Sequence, residues 1–218
     1  MAVPPPLRAP IAPQAWPISV VLLAAGLALG LWGSALGAGL CALLALLNTA
    51  FFRNPKRAVP EGETRVVAPA DGKVVEVERV QDPDGHVADA WRIAIFLSVF
   101  DVHICYAPLS GKVRGIRRSG TKFRAAFRGD AGATNVQSRI DLEGADGTHL
   151  GLIQITGLIA RRIVCYPDEG EQIVRGEPYG LMCYGSRVEL YLPGECKIAV
   201  NVGDRVRGGS SVLAELPL

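Results

Sequence analysis

The sequence predicts a mainly antiparallel β domain preceded by an N-terminal hydrophobic helical hairpin. Three observations predict it: an uncharged apolar run near the N-terminus, a change after Pro60 to short β-rich runs punctuated by glycine, and two similar glycine turns near the C-terminus. A chain of 218 residues has room for one ordinary domain and a short appendage.

No charged residue occurs from Ala9 to Phe52, whereas Arg8 precedes this stretch and Arg53, Lys56 and Arg57 follow it. The run from Ile18 to Ala50 would measure roughly 50 Å as one helix, against a hydrocarbon core of roughly 30 Å. Trp32, Gly33 and Ser34 interrupt it, leaving Ile18 to Leu31 and Ala35 to Leu47 as two pieces, each shorter than a usual spanning helix. A hairpin, the reading preferred to a single tilted helix, returns both ends to one side, and both ends carry the basic residues of cytoplasmic flanks. A cleavable signal peptide fits less well, because the run is too long and basic residues stand where small ones are needed. Residues 1–55 are therefore expected to anchor the chain in the cell (inner) membrane. Residues 56–218 are expected to form a domain on the cytoplasmic side.

The formal charge of +2 and a pI near 8.3 are too mild for a nucleic-acid partner. Cys41, Cys105, Cys165, Cys183 and Cys196 lie far apart, without a CxxC pair or a histidine at metal-ligand spacing. They read as reduced, mostly buried thiols in a reducing compartment, and no metal site is expected.

Strands are expected at Gly72–Glu78, Trp91–Leu97, Lys112–Ile116, Ser138–Leu142, Leu150–Ile155, Arg187–Leu192 and Lys197–Val202, from their β-branched composition and glycine boundaries. Gly157 to Val164 is the one stretch with helical character. Val174–Leu181 and Val206–Leu213 look alike, each following a Gly-acidic pair (Gly170-Glu171, Gly203-Asp204). The pattern resembles the half-motifs of barrel-sandwich hybrids such as biotinyl and lipoyl domains, in which two related halves close a small β sandwich. Two ordinary hairpins with common turn chemistry would read the same way. The segment from Met182 to Ser186 offers no lysine for biotin or lipoate.

Gly185-Ser186 stands immediately before a strand. Alone it is a turn, but a serine hydroxyl can attack the preceding carbonyl where the backbone is strained, and glycine permits such geometry. Asp101 and His103 are two apart at the end of an expected strand, so their side chains would share a face. By themselves they read equally as a strand terminus and a turn cap.

Four pieces, in order, resemble the short (type A) prokaryotic form of the phosphatidylserine decarboxylase proenzymes: Phe51 to Arg57, Ala68 to Val74, Phe96 to His103 and Tyr184 to Val188. The resemblance covers nearly everything after Phe51. It implies self-cleavage between Gly185 and Ser186 into a large chain, 1–185, and a small chain, 186–218, which remain together as a heterodimer, with room for a higher oligomer. It further implies that Ser186 becomes a covalent pyruvoyl (pyruvate) group. This group forms a Schiff base with the amine of a membrane phospholipid, phosphatidylserine, and carbon dioxide leaves to give phosphatidylethanolamine. Asp101 is then the expected orienter or base, His103 the acid/base and Ser186 the nucleophile.

The sequence departs from longer relatives at one point. They carry a second histidine where this chain has Phe123-Arg124-Ala125-Ala126-Phe127, so His103 is expected to carry duties that they divide. His86 and His149 lie in glycine-containing polar turns and read as exposed. Lys112, Arg114, Arg117, Arg118, Lys122, Arg124 and Arg128 form the densest basic stretch, a solvated face or an anionic-lipid contact. The competing function is a non-enzymatic membrane-anchored barrel-sandwich adaptor. It accounts for the anchor and the repeat but not for Asp101, His103 and Gly185-Ser186 together.

Overall fold

The structure is a computed structural model, and it describes residues 7–82, 89–124, 134–157, 162–183 and 186–217. Contacts divide the chain into two compact units, Pro5–Lys56 and the residues from Arg57 onward.

In the first unit a 3-10 turn, Pro13–Ala15, leads into α1 (Trp16–Leu31), and α2 (Ala35–Phe51) returns. The turn forms where the sequence is interrupted: Gly33 takes φ 85°, and Ser34 Oγ accepts from the Gly37 N–H at 3.3 Å. Gly26 lets the helices approach, since a Cβ there would stand 3.0 Å from Cys41 Cβ. The polarity is inverted relative to a water-soluble pair. Ser19, Gly26 and Ala45 are buried, while Val21, Leu27 and Leu36 are 68%, 67% and 88% exposed. At the open end Asn48 Nδ2 donates to the Ala15 carbonyl and to Ser19 Oγ, both at 2.9 Å. Small and polar groups inside with leucines outside suit an apolar solvent. With its preceding turn, the first helix runs Pro13–Leu31, which is long and apolar enough to cross a membrane, so it exceeds the shorter piece the sequence suggests. Ala35–Phe51 is a shorter apolar helix.

The second unit is mainly antiparallel β, as the sequence predicts. It contains β1 (Arg65–Val67), β2 (Gly72–Val80), β3 (Ala90–Leu97), β4 (Ile104–Tyr106), β5 (Gly111–Ser119), β6 (Gln137–Gly144) and β7 (His149–Thr156). The later strands are β8 (Ile163–Cys165), β9 (Gln172–Ile173), β10 (Pro178–Met182), β11 (Ser186–Leu192), β12 (Lys197–Ile198), β13 (Arg205–Val206) and β14 (Val212–Glu215). A curled sheet has the order β13-β2-β3-β11-β7-β6-β5-β9, and two small sheets have the orders β1-β14-β12 and β4-β10-β8. The seven long strands expected from the sequence are present, although Lys197–Val202 shortens to Lys197–Ile198. Of the helical reading of Gly157–Val164, residues 158–161 lie outside the described ones, and Ile163 and Val164 belong to β8.

These orders are symmetric, because the unit is built twice. One half is β4 to β10 in unbroken sequence, and the other is β1 to β3 completed by β11 to β14, so the first is inserted into the second. The two halves repeat their hydrogen bonds. Val67 N–H donates to Pro108 O and Tyr106 N–H to Pro69 O, both at 2.9 Å. Val74 N–H donates to Asp204 O at 2.9 Å and Val113 N–H to Glu171 O at 2.8 Å. Gly209 and Gly176 donate to Ala68 O and Ala107 O at 2.8 Å. These two glycines have φ 71° and 77°, so the structure aligns Gly176 with Gly209, one residue beyond the alignment read from the sequence. Each half has a β-bulge at the matching point, between Val74 and Glu76 and between Val113 and Gly115.

The core lies on the inner face of the large sheet, where Ile93, Ile95, Leu152, Ile140, Val188 and Leu190 are buried. Removing such side chains from water is the main favourable term in folding.

Candidate active site

Ser186 opens β11, the strand that pairs with β3 on one side and β7 on the other. Its register partners are Leu97, the last residue of β3, and Thr156, the last residue of β7. Alternation along β11 turns Ser186, Val188 and Leu190 inward. Ser186 is fully buried, and its Oγ has no hydrogen-bond partner among the described residues. Gly185, the other half of the expected cleavage site, lies outside the described residues.

The opposite face of β11 fixes the position of this residue. Arg187 is buried, its Nε donating to Glu189 Oε1 and its Nη1 to Glu76 Oε1, both at 2.8 Å. Glu189 Oε2 accepts from Tyr191 OH at 3.0 Å. The guanidinium of Arg187, hydrogen-bonded to Glu76, holds that carboxyl below the usual carboxylate range. Buried cations are tolerated when they are paired and fully hydrogen-bonded, as here.

His103 and Asp101 lie at the same end of the unit, in the connection from β3 to β4. His103 is 2% exposed, and its backbone carbonyl accepts from the N–H of Met182, the last residue of β10, at 3.0 Å. Its Nδ1 stands 3.0 Å from the backbone carbonyl oxygen of Asp101. The Asp101 carboxylate is engaged elsewhere. Its Oδ2 accepts from Ser98 N–H at 2.8 Å and Ser98 Oγ at 2.7 Å, and its Oδ1 accepts from Arg205 Nη1 at 3.0 Å. The two residues therefore meet through a turn, not across a strand face as the sequence suggests, because β3 ends at Leu97.

A polar row that sequence reasoning missed lies beside Ser186. On the inner faces of three adjacent strands, the end nearest Ser186 is polar: Ser186 on β11, Gln154 and Thr156 on β7, Ser138 on β6. Gln154 Nε2 donates to Cys105 Sγ at 3.3 Å, while Gln154 Oε1 and Ser138 Oγ have no partner among the described residues. Buried polar atoms are normally paired, so such a group marks room for a water or a ligand. The signal in the sequence is the alternation Leu150, Leu152, Gln154, in which a polar residue takes an inward position.

Of the remaining sequence candidates, Arg124 stays near this end, its N–H donating to Asn135 Oδ1 at 2.9 Å while Asn135 Nδ2 donates to the Thr156 carbonyl at 2.7 Å. His149 is exposed, and His86 lies outside the described residues. Part of the basic stretch is spent in ion pairs along β5 and β6, Arg114 with Glu143 and Arg117 with Asp141; Arg128 lies outside the described residues. The five cysteines are free. Burial pushes the thiols of Cys105 and Cys165 up to about 12 and that of Cys196 up to about 11, so they stay protonated and poorly nucleophilic near neutral pH.

A family model described as phosphatidylserine decarboxylase matches residues 44–214. Curated proteins named phosphatidylserine decarboxylase proenzyme are similar over most of their length. The one from Saccharopolyspora erythraea is 43% identical over 76% of this chain and 72% of its own. The one from Citrifermentans bemidjiense is 41% identical over 95% and 97%, and that from Aromatoleum aromaticum 37% over 95% and 96%. With the match spanning both the strand that begins at Ser186 and the turn that carries Asp101 and His103, the chain belongs to the phosphatidylserine decarboxylase family.

Proposed function

We propose that this chain decarboxylates phosphatidylserine to phosphatidylethanolamine after cutting itself between Gly185 and Ser186. The observation that carries the reading is the buried hydroxyl of Ser186, without a hydrogen-bond partner among the described residues, at the head of a central strand in a chain whose relatives are named proenzymes.

In the proposed maturation Ser186 Oγ bonds to the carbonyl carbon of Gly185, and the peptide nitrogen leaves that carbon, so an ester replaces the amide. Loss of the Ser186 α-proton then expels the Gly185 carboxylate. Water replaces the nitrogen of the resulting N-terminus, ammonia departs and a keto group remains. His103 is suited to the first proton. With Nδ1 donating to the Asp101 carbonyl, the neutral ring keeps its lone pair on Nε2. Asp101 contributes twice, through the carbonyl that orients the imidazole and through the carboxylate that closes the turn.

The position suits a pyruvoyl group. Residue 186 is small, enclosed, bordered by Leu97 and Thr156 and held from behind by Arg187. Such a group supplies an electron sink for the pair left behind when an amine-bearing carboxylate loses carbon dioxide. The buried site around residue 186 limits water, which protects that chemistry. The apolar helices fit membrane anchoring, and the basic residues flanking them fit a cytoplasmic catalytic unit.

Intact-mass analysis of the purified protein tests the reading. Two chains are expected, the smaller starting at residue 186 with a keto N-terminus that reacts with hydrazines. A folded, uncut chain of full mass would overturn it.

A further inference from the structure

The polar row beside Ser186 continues one strand further, onto β5. Ile116 packs against the core, so Arg118, two residues on, faces the same side of the sheet. The register partner of Arg118 is Ser138, and that of Ser138 is Gln154, two residues before the partner of Ser186, Thr156. Ser186, Thr156, Gln154 and Ser138 are buried, whereas Arg118 is exposed. The row therefore crosses the adjacent strands β11, β7, β6 and β5 and opens to water at β5.

Arg118 differs from the arginines around it. Arg114 and Arg117 pair with Glu143 and Asp141 on the other face of the sheet, whereas Arg118 makes no ion pair or hydrogen bond among the described residues. It acts electrostatically on Cys165 of β8, a thiol that burial pushes up and Arg118 pulls partly back. Further along the row, Gln154 Nε2 donates to Cys105 Sγ of β4 at 3.3 Å. β4 and β8 are the two edges of the small sheet completed by β10, so this sheet roofs the row.

Under the roof, Gln154 Oε1 and Ser138 Oγ have no hydrogen-bond partner among the described residues. A buried polar atom left unpaired costs stability, so these two are kept for a ligand. The sequence of groups fits a serine head group. With its amine at residue 186, the phosphate lies two carbons and one oxygen away, toward β5. Gln154 Oε1 can accept from the amine, and the Ser138 hydroxyl can donate to a head-group oxygen. The ends of the row are roughly 15 Å apart at strand spacing, and the long side chain of Arg118 spans what the head group does not. The placement of charge fits as well. From Ser186 to Ser138 the row holds no cation, so the carboxylate that must leave is not stabilised in its ground state. The phosphodiester stays anionic throughout, and a guanidinium suits it.

We propose that Arg118 and Ser138 form the head-group subsite, Arg118 binding the phosphodiester of a serine phospholipid at the mouth and Ser138 a head-group oxygen behind it. The inference rests on the decarboxylase reading and adds to it the residues that recognise the substrate.

Kinetics of the purified full chain in detergent, on a dispersed short-chain phosphatidylserine, test this. Arg118→Gln should raise KM by about tenfold or more, the scale of one charge-assisted hydrogen bond, with kcat within about threefold of the parent. Arg118→Lys should recover most of the loss. Arg114→Gln, which removes an exposed charge from the other face, should stay within about twofold. Ser138→Ala should raise KM about fivefold without lowering the melting temperature, because its hydroxyl has no partner to strand among the described residues. An unchanged KM in Arg118→Gln or Ser138→Ala, or an equal rise in Arg114→Gln, overturns the subsite. Binding is read separately by calorimetric titration with glycerophosphoethanolamine, which keeps the phosphodiester and lacks the carboxylate. The parent should bind it, and Arg118→Gln should bind it about tenfold more weakly. No binding by the parent, equal binding by both chains, or equally tight binding of inorganic phosphate overturns the subsite. If the parent decarboxylates no lipid, the decarboxylase reading fails, and the titration still decides the subsite.

Discussion

Nδ1 of His103 lies 3.0 Å from the main-chain carbonyl oxygen of Asp101, while the carboxylate of Asp101 binds Ser98 and Arg205. The acid thus shapes the backbone that holds the imidazole. Asp101→Asn keeps an acceptor for Ser98 and should slow self-cleavage less than His103→Ala, which removes the proton carrier. Arg205→Ala should resemble Asp101→Asn. Time courses of chain cleavage after denaturation and refolding check this order; a silent His103→Ala would remove His103 from the mechanism.

Ser186→Ala should leave the chain uncut and inactive but as stable as an uncut wild-type chain, within about 1 kcal/mol. The deleted hydroxyl has no partner to strand among the described residues. Electrophoresis for the cut and thermal melting for the fold separate the two effects. Cleavage at the normal position in this variant would refute the assignment of the nucleophile.

Gln154→Leu should raise thermal stability or leave it unchanged, because an apolar side chain of similar size replaces a buried amide whose Oε1 has no partner among the described residues. The same change should lower either the rate of self-cleavage or kcat by about tenfold, since a polar row kept at a cost in stability is expected to serve the site. A more stable variant with full activity would show the row to be structural only.

Acid should weaken the fold through Glu76. Its carboxyl is held below its ordinary value of 4.5 by the hydrogen bond from Arg187, so the unfolded chain binds a proton more readily than the folded one. The stabilisation is present above about 4.5 and is lost as pH falls through the lower, folded value. Melting temperature should fall in that window, and Glu76→Gln should flatten this part of the profile. Arg187→Met should be far costlier than Glu76→Gln, by about 3 kcal/mol or more, because it leaves buried Glu189 without its cation.

Much of the architecture was legible because its causes are local. The break at Trp32-Gly33-Ser34 sets the hairpin, and alternation in Trp91–Leu97 and Leu150–Ile155 sets strands whose partners then follow. The short strands β1, β4, β8 and β9 escape such reading, because two or three residues carry no periodicity and owe their conformation to pairing. The duplication was legible only in part. Val174–Leu181 and Val206–Leu213 announce it, yet Ala68-Pro69-Ala70-Asp71-Gly72-Lys73-Val74 and Ala107-Pro108-Leu109-Ser110-Gly111-Lys112-Val113 show it more plainly. At the site, residue identities could be read but their contacts could not. Asp101 and His103 two apart suggest a shared strand face, and only the end of β3 at Leu97 turns the acid toward Ser98 and Arg205.

The insertion of one half of the β unit into the other gives the proposed cut a topological meaning. A break ahead of β11 divides the interrupted half, leaving β1 to β3 on the large chain and β11 to β14 on the small one, while the half made of β4 to β10 stays whole. The mature protein is then a fragment-complemented fold. Its small chain is clasped along both edges of β11 and pairs again through β13 with β2 and through β14 with β1. Before the cut, unfolding and refolding concern one molecule; afterwards recovery requires two to meet, so reversibility becomes a matter of concentration. Maturation thereby turns a self-contained fold into one that, once lost, is hard to regain.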